Sequence, residues 1–245
     1  MIRSFLGGVL FAAALCAAPS ASAQALTPAQ KAEVRATVRD YIKQNPEIVQ
    51  EALDELKKRK DAAEKARVAA LQPRIQGDPR DFSVGPRNAP VVIVEFFDYR
   101  CPYCHAAMDW VYEAMRRNPK TVRVVFKEFP VLGPQSVEAA QAATASIRQG
   151  RYLPFHRAIM AFRGDLTSQQ IDVLARQVGI DVARMRRDMN DVAILNHLRD
   201  NHQLASEAVI EGTPAFTING EWLRGWSERD ANQMLANALR RSRAS

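Results

Sequence analysis

The 245-residue sequence predicts an α/β fold with an inserted helical domain, preceded by an N-terminal helical arm, and three observations carry that reading. A β-branched and aromatic run, Val91–Phe97, passes at once into helix-forming sequence that opens with Cys101-Pro102-Tyr103-Cys104. A second apolar run, Val122–Phe129, then completes a β-α-β unit, which requires parallel neighbours and a right-handed crossover. After glycine-terminated helical segments over 134–207, Thr213-Pro214 leads into a short strand, an Asn219-Gly220 turn and a last helix opened by Ser227-x-x-Asp230.

From the start of the chain, Arg3, the apolar run Phe5–Ala18 and Ala21-Ser22-Ala23 read as a cleaved secretory signal over 1–23. The run is shorter than the roughly 20 residues a spanning helix needs. Cys16 falls inside this leader, and Ala13-Ala14-Leu15 is a poor lipoprotein signal. Removal of the leader leaves Cys101 and Cys104 as the only cysteines, in an oxidising compartment. The 47% hydrophobic content suffices for a core of ordinary size. Basic residues are interleaved with acids from Lys31 to Arg243, so the net charge of +7 reads as a solvated basic surface and no nucleic-acid partner is expected.

The arm is expected over 24–72. Thr27-Pro28 is a helix start, and Val34, Val38, Tyr41 and Ile42 form one apolar face. Asn45-Pro46 repeats the start signal, and Ile48, Val49, Ala52, Leu53 and Leu56 carry a second stripe before charged, alanine-rich sequence from Lys57 to Ala70. Such a stripe meets another chain or packs back on the main domain, and self-association is the preferred reading. Pro73, Gly77, Pro79, Gly85 and Pro86 mark a linker over 73–90, with a short edge strand around Phe82–Val84. The main domain follows over 91–245.

Cys101 stands at the junction of strand and helix, where unpaired N–H groups and the positive end of the helix dipole lower a thiol's pKa. Pro102 suits the first turn, because its missing N–H does no harm there. Four chemistries use such a pair. A structural staple gains only about 2 kcal/mol from so short a loop. Zinc needs about four ligands, and no second Cys-x-x-Cys or Cys-x-x-His lies in the chain. Cys-x-x-Cys-His is also the c-type haem signature, with His105 as axial ligand, but that role does not require a preceding strand. Thiol–disulfide exchange accounts for the strand as well.

Other residues draw notice by their setting. Pro214 cannot donate a ladder bond yet adjoins a strand. Glu95 and Lys127 are charges inside otherwise apolar strands, so they are either buried site residues or outward-facing edge charges. His156, His197 and His202 share no metal-ligand spacing and are assigned no chemistry.

Together, the β-α-β unit with its Cys-x-x-Cys, the helical insertion, Thr213-Pro214 and the terminal hairpin and helix resemble the thioredoxin superfamily. More narrowly they resemble the bacterial periplasmic DsbA-like thiol–disulfide oxidoreductases, from about Asp81 to Arg241. The resemblance implies a thioredoxin-like fold in the periplasm, with Cys101 as exposed nucleophile, Cys104 as resolving thiol and Thr213-Pro214 in cis beside them. It also implies that Glu95 and Lys127 are a buried acid and lysine beneath the site. The arm is similar to the oligomerisation segment of the ScsC-like and Com1-like branches, which implies a homo-oligomer and a disulfide isomerase or reductase. A monomeric disulfide oxidase, and a holdase or copper binder using the same thiols, are the alternatives. Pro102-Tyr103 differs from the Pro-His of the strong oxidase, and the absent histidine removes a charge that would favour the thiolate. The implied partners are secreted clients with cysteines and a membrane redox-recycling protein, and neither metal nor organic cofactor is expected.

Overall fold

The computed structural model describes residues 26–243, which fall into two compact units, one ending at Lys58 and one beginning at Arg59. The signal expected over 1–23, with Cys16, lies outside the described residues. Helix α1 (Pro28–Gln44) opens with a capping box, in which the Thr27 hydroxyl accepts from Gln30 N and the Gln30 side chain accepts from Thr27 N. Helix α2 (Glu47–Gly77) follows the Asn45-Pro46 break. In the first unit the apolar stripes are exposed, Val34, Val38, Tyr41 and Ile42 on α1 and Ile48, Val49, Leu53 and Leu56 on α2.

The linker expected over 73–90 needs correction, as does the arm boundary at residue 72. Helix α2 runs through Pro73 to Gly77, and its residues from Arg59 onward belong to the second unit. An internal proline costs a helix about 3 kcal/mol, which tertiary contacts here offset. Val68 and Ile75 are buried, Arg123 donates to the Gln76 carbonyl at 3.0 Å, and Lys127 donates to the Arg74 carbonyl at 3.1 Å. None of these partners is near in sequence.

The second unit is built on a five-stranded sheet. Strand β1 (Phe82–Val84) is the expected edge strand, β2 (Val91–Phe97) precedes α3 (Pro102–Arg117), and β3 (Val122–Glu128) follows it. The insertion supplies α4 (Pro134–Ser146), α5 (Tyr152–Ala161), α6 (Ser168–Gln177), α7 (Val182–Asp188) and α8 (Val192–Glu207). Strands β4 (Ala215–Ile218) and β5 (Glu221–Arg224) form the hairpin, and α9 (Glu228–Arg243) closes the fold. The order is β1-β3-β2-β4-β5, with β2 and β3 parallel and all other pairs antiparallel.

Alternation along β2 decides which side chains meet the dithiol. Ile93 and Phe97 point into the core shared with Cys101, Cys104, Trp110 and Phe216, whereas Val92, Val94 and Phe96 join Ile75, Val125 and Leu204 on the other face. The hairpin turn has Asn219 at φ 48° and Gly220 at φ 87°, the left-handed pair a two-residue turn demands. The Asn219 side chain also accepts from Val92 N at 2.7 Å and donates to the Pro90 carbonyl at 2.9 Å, which locks the turn to the start of β2.

Candidate active site

Cys101 is the N-cap of α3, in extended conformation, and its backbone N–H is held by the Asp98 carbonyl at 3.1 Å. Its thiol lies 3.2 Å from the carbonyl oxygen of Thr213, the residue that precedes Pro214 through a cis peptide bond. Both thiols are free. The expected exposure of the nucleophile is corrected: Cys101 is only 4% exposed, whereas its neighbour Tyr103 is 66% exposed. Cys104, a turn deeper on α3, is fully buried.

The two thiols titrate in opposite directions. Hydrogen bonding from Cys104 is the largest influence on Cys101 and lowers its pKa to about 5, aided by the Thr213 side chain and the Cys104 and Tyr103 backbones, against the cost of burial. Cys104 is pushed well above its ordinary value, first by burial, then by its bond to Cys101 and the charge of Glu95. The arrangement therefore presents one thiolate and stores one thiol at neutral pH.

Glu95 lies on the thiol face of β2 and is buried. Burial, and next the negative charge of Cys101, raise its pKa to about 8. Among the described residues its Oε1 has no hydrogen-bond partner. A buried acid without a fixed donor is free to take and return a proton.

Lys127 does not join it. In the β2–β3 register Phe96 pairs with Lys127 and Glu95 with Phe126, so the two charges occupy opposite faces of the sheet. Lys127 is fully buried against Asp81 at 2.5 Å, and Asp81 in turn meets His197 Nε2 at 2.8 Å. Its role beneath the active site is withdrawn, and it holds the end of α2.

Asp98 is a residue the sequence reading passed over. Its buried carboxylate accepts from Arg100 N and the Ser136 hydroxyl through Oδ1, and from Val131 N and Leu132 N through Oδ2, all within 2.9 Å. It thereby binds the turn before Cys101 to the loop after β3 and the start of α4. An aspartate followed two residues later by a backbone donor is an Asx-turn signal, and that signal was present in Asp98-Tyr99-Arg100.

His105 is engaged elsewhere than a haem ligand would be, since its Nε2 sits 2.6 Å from the Tyr99 carbonyl. His156 is a satisfied core residue, 3.0 Å from the Tyr99 hydroxyl and kept neutral by burial, with its pKa lowered to about 3.

A dithiol at the head of a helix, faced by a cis proline on a thioredoxin-like sheet, defines a protein of the thioredoxin class. Residues 92–240 match the DSBA-like thioredoxin domain, and the chain belongs to that family. Residues 30–63 match the N-terminal domain described for the copper resistance protein ScsC. Among solved structures, a thioredoxin-like oxidoreductase from Silicibacter pomeroyi is 35% identical, covering 71% of this chain and 98% of that one with a TM-score of 0.65. A linker-deletion mutant of Proteus mirabilis ScsC is 27% identical and covers 90% of this chain and all of its own, at a TM-score of 0.68. The Na(+)/H(+) antiporter NhaA 3 of Salinispora tropica is 32% identical over 146 residues. The chain spans 22% of that relative's length and 25% of a mycobacterial NhaA 1's. Among the described residues no helix is long and apolar enough to cross a membrane.

Proposed function

We propose that the chain is a periplasmic thiol–disulfide oxidoreductase that acts on cysteine-bearing client proteins, working as an oligomeric isomerase or reductase. The observation that carries the exchange chemistry is the split between the thiols, with Cys101 at a pKa of about 5 and Cys104 protonated and buried behind it. The Cys101 thiolate attacks one sulfur of a client disulfide; that bond breaks, a mixed disulfide forms, and the departing client thiolate takes a proton. Cys104 gives up its proton and attacks the Cys101 sulfur, releasing the second client thiol. Two electrons pass to the client, and Cys101 and Cys104 are left as a disulfide. Run backward, the same steps donate a disulfide.

Glu95 fits the proton's path in the resolving step. The Cys101 charge that helps to raise its pKa vanishes when the mixed disulfide forms, so Glu95 ionises more readily when a base for Cys104 is needed. Thr213 and Pro214 supply the backbone edge against which a client strand aligns, and the exposed Tyr103 borders it. Substituting Glu95→Gln is expected to slow release of the mixed disulfide and to alter its pH dependence. An unchanged pH–rate profile removes Glu95 from the relay.

Support for assembly comes from the exposed stripes of α1 and α2 and the ScsC-type match over them. Burying each large aliphatic side chain is worth roughly 1.5 to 3 kcal/mol, against an association cost of about 4 to 15 kcal/mol. Several dithiols held around one client raise their effective concentration for repeated attack, which suits reshuffling. Deleting residues 24–58, which leaves the packed part of α2 in place, should yield a monomer that still exchanges small disulfides but no longer isomerises scrambled protein. If the full chain sediments as a monomer, or the truncated one isomerises equally well, the assembly reading fails. A monomeric oxidase then leads, and the low pKa of Cys101 favours it, because a stabilised thiolate makes the disulfide easier to donate.

A further inference from the structure

Arg100 and Arg163 differ from arginines such as Arg80, Arg148 and Arg186, each of which meets a carboxylate. Among the described residues both are instead anchored to neutral acceptors, and through the same atom. Nη1 of Arg163 donates to the carbonyls of Met160 at 2.7 Å and Phe162 at 3.1 Å, and to His105 Nδ1 at 3.2 Å. Nη1 of Arg100 donates to the Leu132 carbonyl at 2.5 Å and lies 3.4 Å from Gln135 Oε1. The Tyr99 carbonyl can only accept, so the His105 proton sits on Nε2 and Nδ1 accepts from Arg163. His105 thereby serves to fix Arg163, while Nε and Nη2 of both guanidiniums have no protein acceptor among the described residues.

A cavity of about 200 Å³ lies between them, with Tyr99, Arg100, His105, Phe162, Arg163 and Asp165 in its lining. The charges of this lining are two positive and one negative, since Asp165 pairs with neither arginine. A fixed guanidinium with an open fork matches the planar geometry of a carboxylate. Arg100 directly precedes Cys101 and His105 directly follows Cys104, so a residue from each end of the dithiol motif enters the lining.

We propose that this cavity is a carboxylate subsite for the disulfide substrate, taking an acidic group close to the substrate's cysteine. It rests on the exchange reading above and adds substrate preference to it. The group is an acidic residue of a client or the carboxylate of a small acidic thiol. It remains a spectator: the substrate S–S bond breaks, the bond to Cys101 forms, and the leaving thiolate takes its proton as before.

Turnover of oxidised glutathione, which carries carboxylates, is compared with that of bis(2-hydroxyethyl) disulfide, which carries none. A second pair of substrates consists of disulfide-linked peptides identical except for Asp or Asn beside the cysteine. Arg100→Gln combined with Arg163→Gln should lower the acidic-to-neutral ratio of kcat/KM about tenfold, the scale of a partly screened charge-assisted bond. Arg163→Lys should retain part of that ratio, and in the parent protein added salt should lower it. A loss confined to glutathione assigns the subsite to small thiols, and one confined to the peptide pair assigns it to clients. Equal losses for acidic and neutral substrates, or a ratio indifferent to both salt and substitution, overturn the subsite. If the parent turns over no disulfide of either kind, the exchange reading falls and takes this inference with it.

Discussion

Cys101 and Cys104 lie within one helical turn, yet only one of them should react at neutral pH. With a pKa of about 5, Cys101 should be alkylated by iodoacetamide at a rate that rises through pH 5 and levels off near 7, while Cys104 stays inert until the fold opens. Peptide mapping after a short pulse reads this directly, and equal labelling of the two would refute it. The cysteines, Pro214 and Glu95 are legible in the sequence because each is local chemistry: a spacing, a misplaced imide, a charge in an apolar run. Lys127 carried the same signal as Glu95 and misled. Which face a strand residue takes depends on where its neighbour pairs, and a one-residue offset in the β2–β3 register separates the two charges by the thickness of the sheet.

Elements whose ends are written locally are also legible. Insertion segments stop at left-handed Gly150 and Gly179 as glycine-terminated helices should, whereas α5 ends at an extended Phe162 before Gly164 is reached, and Asn219-Gly220 makes its turn. Helix α2 is not legible in this way, because Pro73 is a stop signal overridden by residues about 50 positions away. Those contacts can be tested. Lys127→Met leaves Asp81 buried beside His197 without its cation and should cost about 3 kcal/mol of stability. The pH profile of Cys101 alkylation should not move, since Lys127 works on the other face. A shifted profile would return Lys127 to the active site. Helix α8 ends in another unwritten way: Val209 N and Ile210 N bond back to Ser206 and Ala205 in a Schellman motif, with valine at φ 55° where glycine is usual. Val209→Gly should therefore stabilise the protein by about 1 kcal/mol in denaturant melts. A loss of stability would show that the side chain matters more than the backbone.

For the molecule as a whole, Glu95 and Cys101 pull the pH dependence of stability in opposite senses. The folded pKa of Glu95 is raised from 4.5 to about 8, so the native state holds its proton more tightly and stability falls as pH rises across that window. The folded pKa of Cys101 is depressed from 9.0 to about 5, so its contribution is full above 9, and is lost as pH falls through 5. Between pH 5 and 8 each slope is about 1.4 kcal/mol per unit, and in the reduced protein they largely cancel. The disulfide form has no Cys101 thiolate and keeps the burial of Glu95, so its stability should decline over the same range. Urea titrations of the two forms at pH 5.5 and 7.5 measure the widening gap, and parallel behaviour would contradict it. The anchoring of α2 has a mechanical consequence. Tension along that helix enters the sheet through Ile75, Arg123 and Lys127, on the side away from the thiols. A pull applied through the helix therefore loads the back of the sheet, while the thiol face carries only the force a bound client exerts through its own sulfur.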